Sequence, residues 1–103
     1  MKSEKDVKAA VKEIMGRPVP NLWWYMPAAN GFGTPGIPDF MGCAYGRTFA
    51  IECKFGKGVR TAWQVKQADA IQAAGGQYWL VSEKDVEYFR VAFAAWLMGA
   101  SCS

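Results

Sequence analysis

The strongest constraint on the fold is a change of period along the chain. Phe40 to Cys43 and Arg47 to Phe55 read as two strands, with Tyr45-Gly46 as the turn between them. Thr61 then caps a helical stretch that closes at Gly75-Gly76, glycine standing just past the last helical residue. Gln77 to Val81 reads as strand again. The first two strands form an antiparallel hairpin. The helix after them is a crossover, expected to be right-handed, so the sheet is mixed.

Two more helices frame this unit. Ser3 and Asp6 resemble a capping box, and the helix behind them is expected to reach Met15 and stop at Gly16-Arg17-Pro18. Val7, Ala10, Val11 and Ile14 share its apolar face. Glu4 lies at the border of that face, about 60° from its centre, and Glu13 faces water. Asn21 to Met26 is aromatic and apolar, a further strand. Pro27 to Gly36, with three glycines and two prolines, is a loop. Ser82 with Asp85 repeats the capping pattern, and a last helix is expected to run to about Met98. Val86, Phe89, Phe93, Trp96 and Leu97 form its apolar stripe. The fold class is α/β, a small sandwich of helices around a central mixed sheet.

With 103 residues, 51% of them apolar, the chain is one domain, 1–103, and neither disordered nor a large barrel. Five tryptophans and six phenylalanines are many for so small a core, so some are expected to face the interior and others a partner subunit. The three cysteines are widely spaced and there is no histidine, which excludes a disulfide framework, a structural zinc site and a His-based triad. A reducing, cytoplasmic setting fits. No segment is long and apolar enough for a membrane span, and the N-terminal stretch lacks an apolar signal region. From Arg47 to Lys66 five basic residues accompany one acid, Glu52. That excess suits either a polyanion or a solubilising face.

The chemistry concentrates in Gly36-Ile37-Pro38-Asp39 and Glu52-Cys53-Lys54. In a strand, Glu52 and Lys54 share a face and Ile51 and Cys53 take the other. Pairing of the two hairpin strands brings Asp39 beside Glu52. Two adjacent carboxylates repel unless a cation stands between them. Oxygen donors without histidine suit Mg²⁺ or Mn²⁺. A lysine one side chain away can orient a water near a scissile phosphate. An ordinary surface Glu–Lys pair and a turn aspartate are the bland alternative.

These residues resemble the VRR-NUC domain, a branch of the PD-(D/E)xK nuclease superfamily. The motifs that carry the likeness are Gly33-Thr34-Pro35-Gly36-Ile37-Pro38-Asp39, Phe49-Ala50-Ile51-Glu52-Cys53-Lys54, and Gln64 eleven residues before Gly75-Gly76. The likeness runs from Glu4 to about Phe89. It implies a restriction-endonuclease-like core, metal-binding acids at Asp39 and Glu52 completed by Glu4, a catalytic lysine at Lys54 and a site glutamine at Gln64. Lys8 departs from it, standing where many relatives have glutamine.

The resemblance also implies a Mg²⁺-dependent (or Mn²⁺-dependent) DNA endonuclease that hydrolyses phosphodiester bonds. Its expected substrate is branched DNA such as a Holliday junction, cut by a homodimer, in a setting such as a phage in its host's cytoplasm. Candidate DNA contacts are Arg47, Lys57, Arg60 and Lys66, with Asn30 and Thr34 of the glycine-rich loop. Trp24 or Tyr25 is read as stacking on a base, or as core or subunit contact. The rival reading is a non-catalytic DNA-binding module on the same fold. An interaction protein whose aromatics form its interface is a further alternative.

Overall fold

The computed structural model describes residues 1–28 and 33–101, the last two of these by backbone alone. Helix α1 spans Glu4–Met15 and begins where Ser3, in extended conformation, accepts the Asp6 N–H on its hydroxyl at 3.3 Å. Asp6 does not reciprocate to Ser3, as a full capping box would. Its carboxylate accepts from the Lys2 N–H at 2.7 Å. Val7, Val11, Ile14 and Met15 are buried, and Glu13 is exposed.

Four strands follow the expected plan: β1 (Leu22–Tyr25), β2 (Phe40–Ala44), β3 (Arg47–Cys53) and β4 (Gln77–Val81), in spatial order β1-β2-β3-β4. The first two pairs are antiparallel and β3–β4 is parallel, so the sheet is mixed. Helix α2 (Ala62–Ala73) links the parallel pair. β1 is shorter than Asn21 to Met26 because Asn21 turns at φ 65° and Pro27, with no N–H to donate, follows Met26. β3 ends at Cys53 rather than Phe55, although the Lys54 N–H still reaches the Val81 carbonyl at 2.9 Å.

Helix α3 (Val86–Ser101) starts later than Ser82 and runs past Met98. Ser82 donates both its N–H and its hydroxyl to the Asp85 carboxylate, at 3.0 and 2.8 Å, closing a turn ahead of the helix. The Asp85 carbonyl then accepts the Phe89 N–H, which puts Asp85 at the N-cap position.

One face of the sheet packs on α1 and α3. Phe40, Phe49, Ile51, Cys53 and Val81 meet Val7, Val11, Val86, Phe89 and Phe93 there. Phe49 lies edge-on to Phe93 and Trp96, with centroids 5.4 Å from each, and Trp79 is 5.5 Å from Phe89. The α3 stripe is thus spent on this core: Val86, Phe89 and Phe93 are buried, and Trp96 and Leu97 pack against them. Exposed aromatics lie elsewhere, at Trp23, Tyr25, Tyr45, Trp63 and Tyr88. Trp24 packs into the core against Phe40, whereas Tyr25 is exposed. On the other face, Ala50 and Tyr78 pack under Ala68 of α2. Among the described residues no helix is long and apolar enough to cross a membrane.

Candidate active site

The hairpin register builds the site. Phe40 stands opposite Ile51, which places Asp39, one residue earlier, beside Glu52. Asp39 is fixed there because its Oδ2 accepts the backbone N–H of Cys53 at 2.8 Å. Alternation along β3 sends Ile51 and Cys53 into the core and Glu52 to the α2 side.

Glu52 is 2% exposed and is the buried charged residue among those described. Its carboxyl pKa is pushed up to about 8, first by burial and then by the charge and hydrogen bond of Asp39, with Lys54 opposing the shift. Its main polar partner comes from α2. Gln64 Nε2 donates to Glu52 Oε2 at 3.1 Å. The same side chain's carbonyl accepts the Thr61 N–H at 2.8 Å, while the Thr61 hydroxyl accepts the Gln64 N–H. One residue therefore closes the helix cap and orients the buried carboxylate.

Two lysines complete the cluster. Lys54 Nζ is 3.9 Å from both Glu52 and Glu4. Lys8 Nζ is 3.3 Å from Asp39 Oδ1 and 3.6 Å from Glu4 Oε2. Burial lowers the Lys8 pKa, but Asp39 and then Glu4 outweigh it and the net shift is upward. Burial and the neighbouring acids push the Cys53 thiol well above its usual range, so it is no nucleophile. The acids open onto a cavity of about 550 Å³ that Thr34, Gly36 and Trp63 also line.

Glu4, Asp39, Glu52, Lys54 and Gln64 are thus brought together, and Thr34 lines the same cavity. Among the basic residues, Arg60 lines a neighbouring pocket together with Lys54. Arg47 stands away from the acids. It begins β3 at the end opposite Glu52, about 17 Å along the strand, and its guanidinium lies 5.8 Å from the Trp96 ring centroid. Arg60 lies over the Tyr78 ring at 5.8 Å, Lys66 over Trp63 at 5.4 Å, and Lys57 is exposed in the loop after β3. Asn30 lies outside the described residues.

Two cavity residues were not expected to be part of the site. Lys8 stands one turn after Glu4, a spacing that puts both on one helix face, yet it is noticeable in the sequence only as a departure from a resembling family. Trp63 immediately precedes Gln64 and is 54% exposed at the cavity wall. Nothing in the sequence separates it from a core aromatic.

Among the described residues no three Asp, Glu, His or Cys side chains converge as a metal-holding group. Glu4 turns its oxygens to the two lysines. The donor chemistry still fits a hard divalent cation: Asp39 and Glu52 are paired oxygen donors whose mutual repulsion a cation relieves, and Glu4 is one side chain away. No protein-family model matches this chain, and no curated protein is significantly similar to it.

Proposed function

We propose that this chain is a metal-dependent DNA endonuclease of the VRR-NUC kind, acting on branched DNA as a homodimer. The observation that carries the reading is the pairing of Asp39 with a buried Glu52, next to Lys54 at 3.9 Å, at the wall of an open cavity. A buried carboxylate beside a second acid costs stability, and such groups cluster at functional sites.

Asp39 and Glu52 would hold the cation, with Glu4 beside them. When bound, Mg²⁺ or Mn²⁺ supplies Lewis acidity toward a phosphate oxygen and acidifies water. The chain's own groups have separable tasks. Lys54 holds its ammonium 3.9 Å from Glu52 and Glu4, where it can orient the attacking water and offset charge on the phosphate. Gln64 holds Glu52 in one orientation. The Cys53 N–H holds Asp39. Trp63, at the cavity wall with the Lys66 ammonium over its ring, would stack on a base, and Lys66 and Lys57 would contact phosphates.

One observation favours the rival, a binding module without catalysis: Lys8 and Lys54 already neutralise part of the acid cluster. Cleavage separates the two. Purified protein is incubated with labelled four-way junction, flap, nicked, single-stranded and linear duplex DNA in Mg²⁺, Mn²⁺ or EDTA. Metal-dependent cutting that Asp39→Asn and Lys54→Ala both abolish supports the nuclease. Asp39→Asn keeps an oxygen to accept the Cys53 N–H, so it is expected to stay folded. A D39N protein that still cuts refutes the assignment, and tight DNA binding without cutting favours the binding module. Light scattering with and without junction DNA tests the dimer.

A further inference from the structure

We propose that Lys8 is a resident counter-ion of the acidic site that a divalent cation must displace, so that Lys8 sets the metal concentration at which the site loads. This rests on the reading of Asp39 and Glu52 as cation ligands.

Acids and lysines alternate along a chain from Asp39 to Glu52. Lys8 bridges Asp39 and Glu4, and Lys54 bridges Glu4 and Glu52, with distances of 3.3 to 3.9 Å throughout. Asp39 and Glu52, set side by side by the hairpin register, then close the circuit. Three acids are served by two ammonium groups, and no carboxylate in the ring lacks a cation neighbour. The two lysines are not equivalent. Lys54 follows Glu52 on the rim of the sheet and touches Glu52 and Glu4. Lys8 is the ammonium group that pairs with Asp39, the other half of the acid pair, among the described residues. A cation settling on Asp39 would therefore share a carboxylate with an ammonium group and feel its repulsion directly.

The position also permits displacement. Lys8 is carried on α1, one turn from Glu4, on a flexible four-carbon stem. Its side chain is one-third exposed and lines the open cavity. It can leave Asp39 for solvent without any backbone change. Lys54, 16% exposed, is more enclosed. The two ammonium groups thus divide between a fixed one beside Glu52 and a removable one on Asp39.

The test measures metal binding directly, without DNA or turnover. Mn²⁺ affinity is determined by calorimetry for the wild type, Lys8→Gln, Lys8→Met and Lys5→Gln. Lys5 is exposed on the same helix and controls for the loss of one positive charge. Both Lys8 variants are expected to bind Mn²⁺ about tenfold more tightly than the wild type, and Lys5→Gln to be nearly unchanged. Thermal melts give a second readout. In EDTA the Lys8 variants should melt below the wild type, because the acids have lost their counter-ion, and saturating Mn²⁺ should raise their midpoint by more than it raises the wild type's. Equal or weaker Mn²⁺ binding by the Lys8 variants, with the wild type binding, overturns the role of Lys8 and leaves the metal site standing. A matching gain in Lys5→Gln also overturns it, since net charge alone would then explain the effect. No Mn²⁺ binding by any of the proteins, all folded by circular dichroism, overturns the metal site and this proposal together.

Discussion

Gln64 donates its side-chain N–H to Glu52 at 3.1 Å while its side-chain carbonyl seals the first turn of α2. The two tasks can be separated by substitution. Gln64→Glu keeps a capping-box acceptor but turns the donor facing Glu52 into a second carboxylate. It is expected to fold and to cut DNA at least a hundredfold more slowly. Gln64→Ala loses both side-chain tasks but keeps the backbone N–H that the Thr61 hydroxyl accepts, and is expected to melt a few degrees lower. Circular dichroism melts beside single-turnover cleavage distinguish the two variants.

Glu52 makes stability depend on pH. Its pKa rises from 4.5 to about 8 on folding. Between those values the folded chain binds more protons than the unfolded one, so stability falls as pH rises through the window. In EDTA the melting midpoint is therefore expected to drop from pH 5 to pH 8. Glu52→Gln should flatten that slope and melt higher at pH 8. A wild-type midpoint that rises over the same range would contradict the burial of this carboxyl.

Gly36 is where the cavity loop rests on α2. It adopts φ +80°, and a Cβ there would lie 2.3 Å from the Trp63 carbonyl carbon and oxygen, which are backbone atoms that cannot swing aside. Gly36→Ala is expected to cost about 3 kcal/mol or more. Gly46 has the same φ but open space around it, so Gly46→Ala should cost only about 1 kcal/mol. Urea titrations of the two variants give the comparison.

Trp63 presents a large, half-exposed ring at the cavity wall with the Lys66 ammonium 5.4 Å from its centroid. Removing it costs the fold little. Trp63→Ala is expected to melt near the wild type yet to bind DNA about tenfold or more weakly, consistent with about 1–3 kcal/mol for one stacked base. Fluorescence anisotropy with a labelled strand measures it. Unchanged affinity would remove Trp63 from the binding surface.

The sequence carries the sheet because its signals are local. Tyr45-Gly46 marks the hairpin turn, and Thr61 with Gln64 and Gly75 bracket α2 to within a residue or two. The nearness of Asp39 and Glu52 follows from strand register, which alternation and turn length fix together. The positions of Arg47 and Lys8 are not local properties. Arg47 counts toward a basic stretch in the sequence, but a strand of seven residues carries it to the opposite end of the sheet from Glu52. Lys8 reaches Asp39 only because α1 packs across the end of the hairpin, a tertiary fact that helical period cannot convey. The aromatic surplus divided in a way composition does not indicate, the α3 stripe going inward and Trp63 outward.

The burial of Glu52 also bears on how such a chain would evolve. β3 is hydrogen-bonded on both edges, and its last five residues are buried without interruption. A neutral side chain of similar size at position 52 would fit that strand better than a carboxylate does. Selection for folding alone therefore runs against Glu52, and selection for a charge-dependent task runs for it. In a lineage released from that task, position 52 would be among the first places where random substitution improves the protein while ending its work.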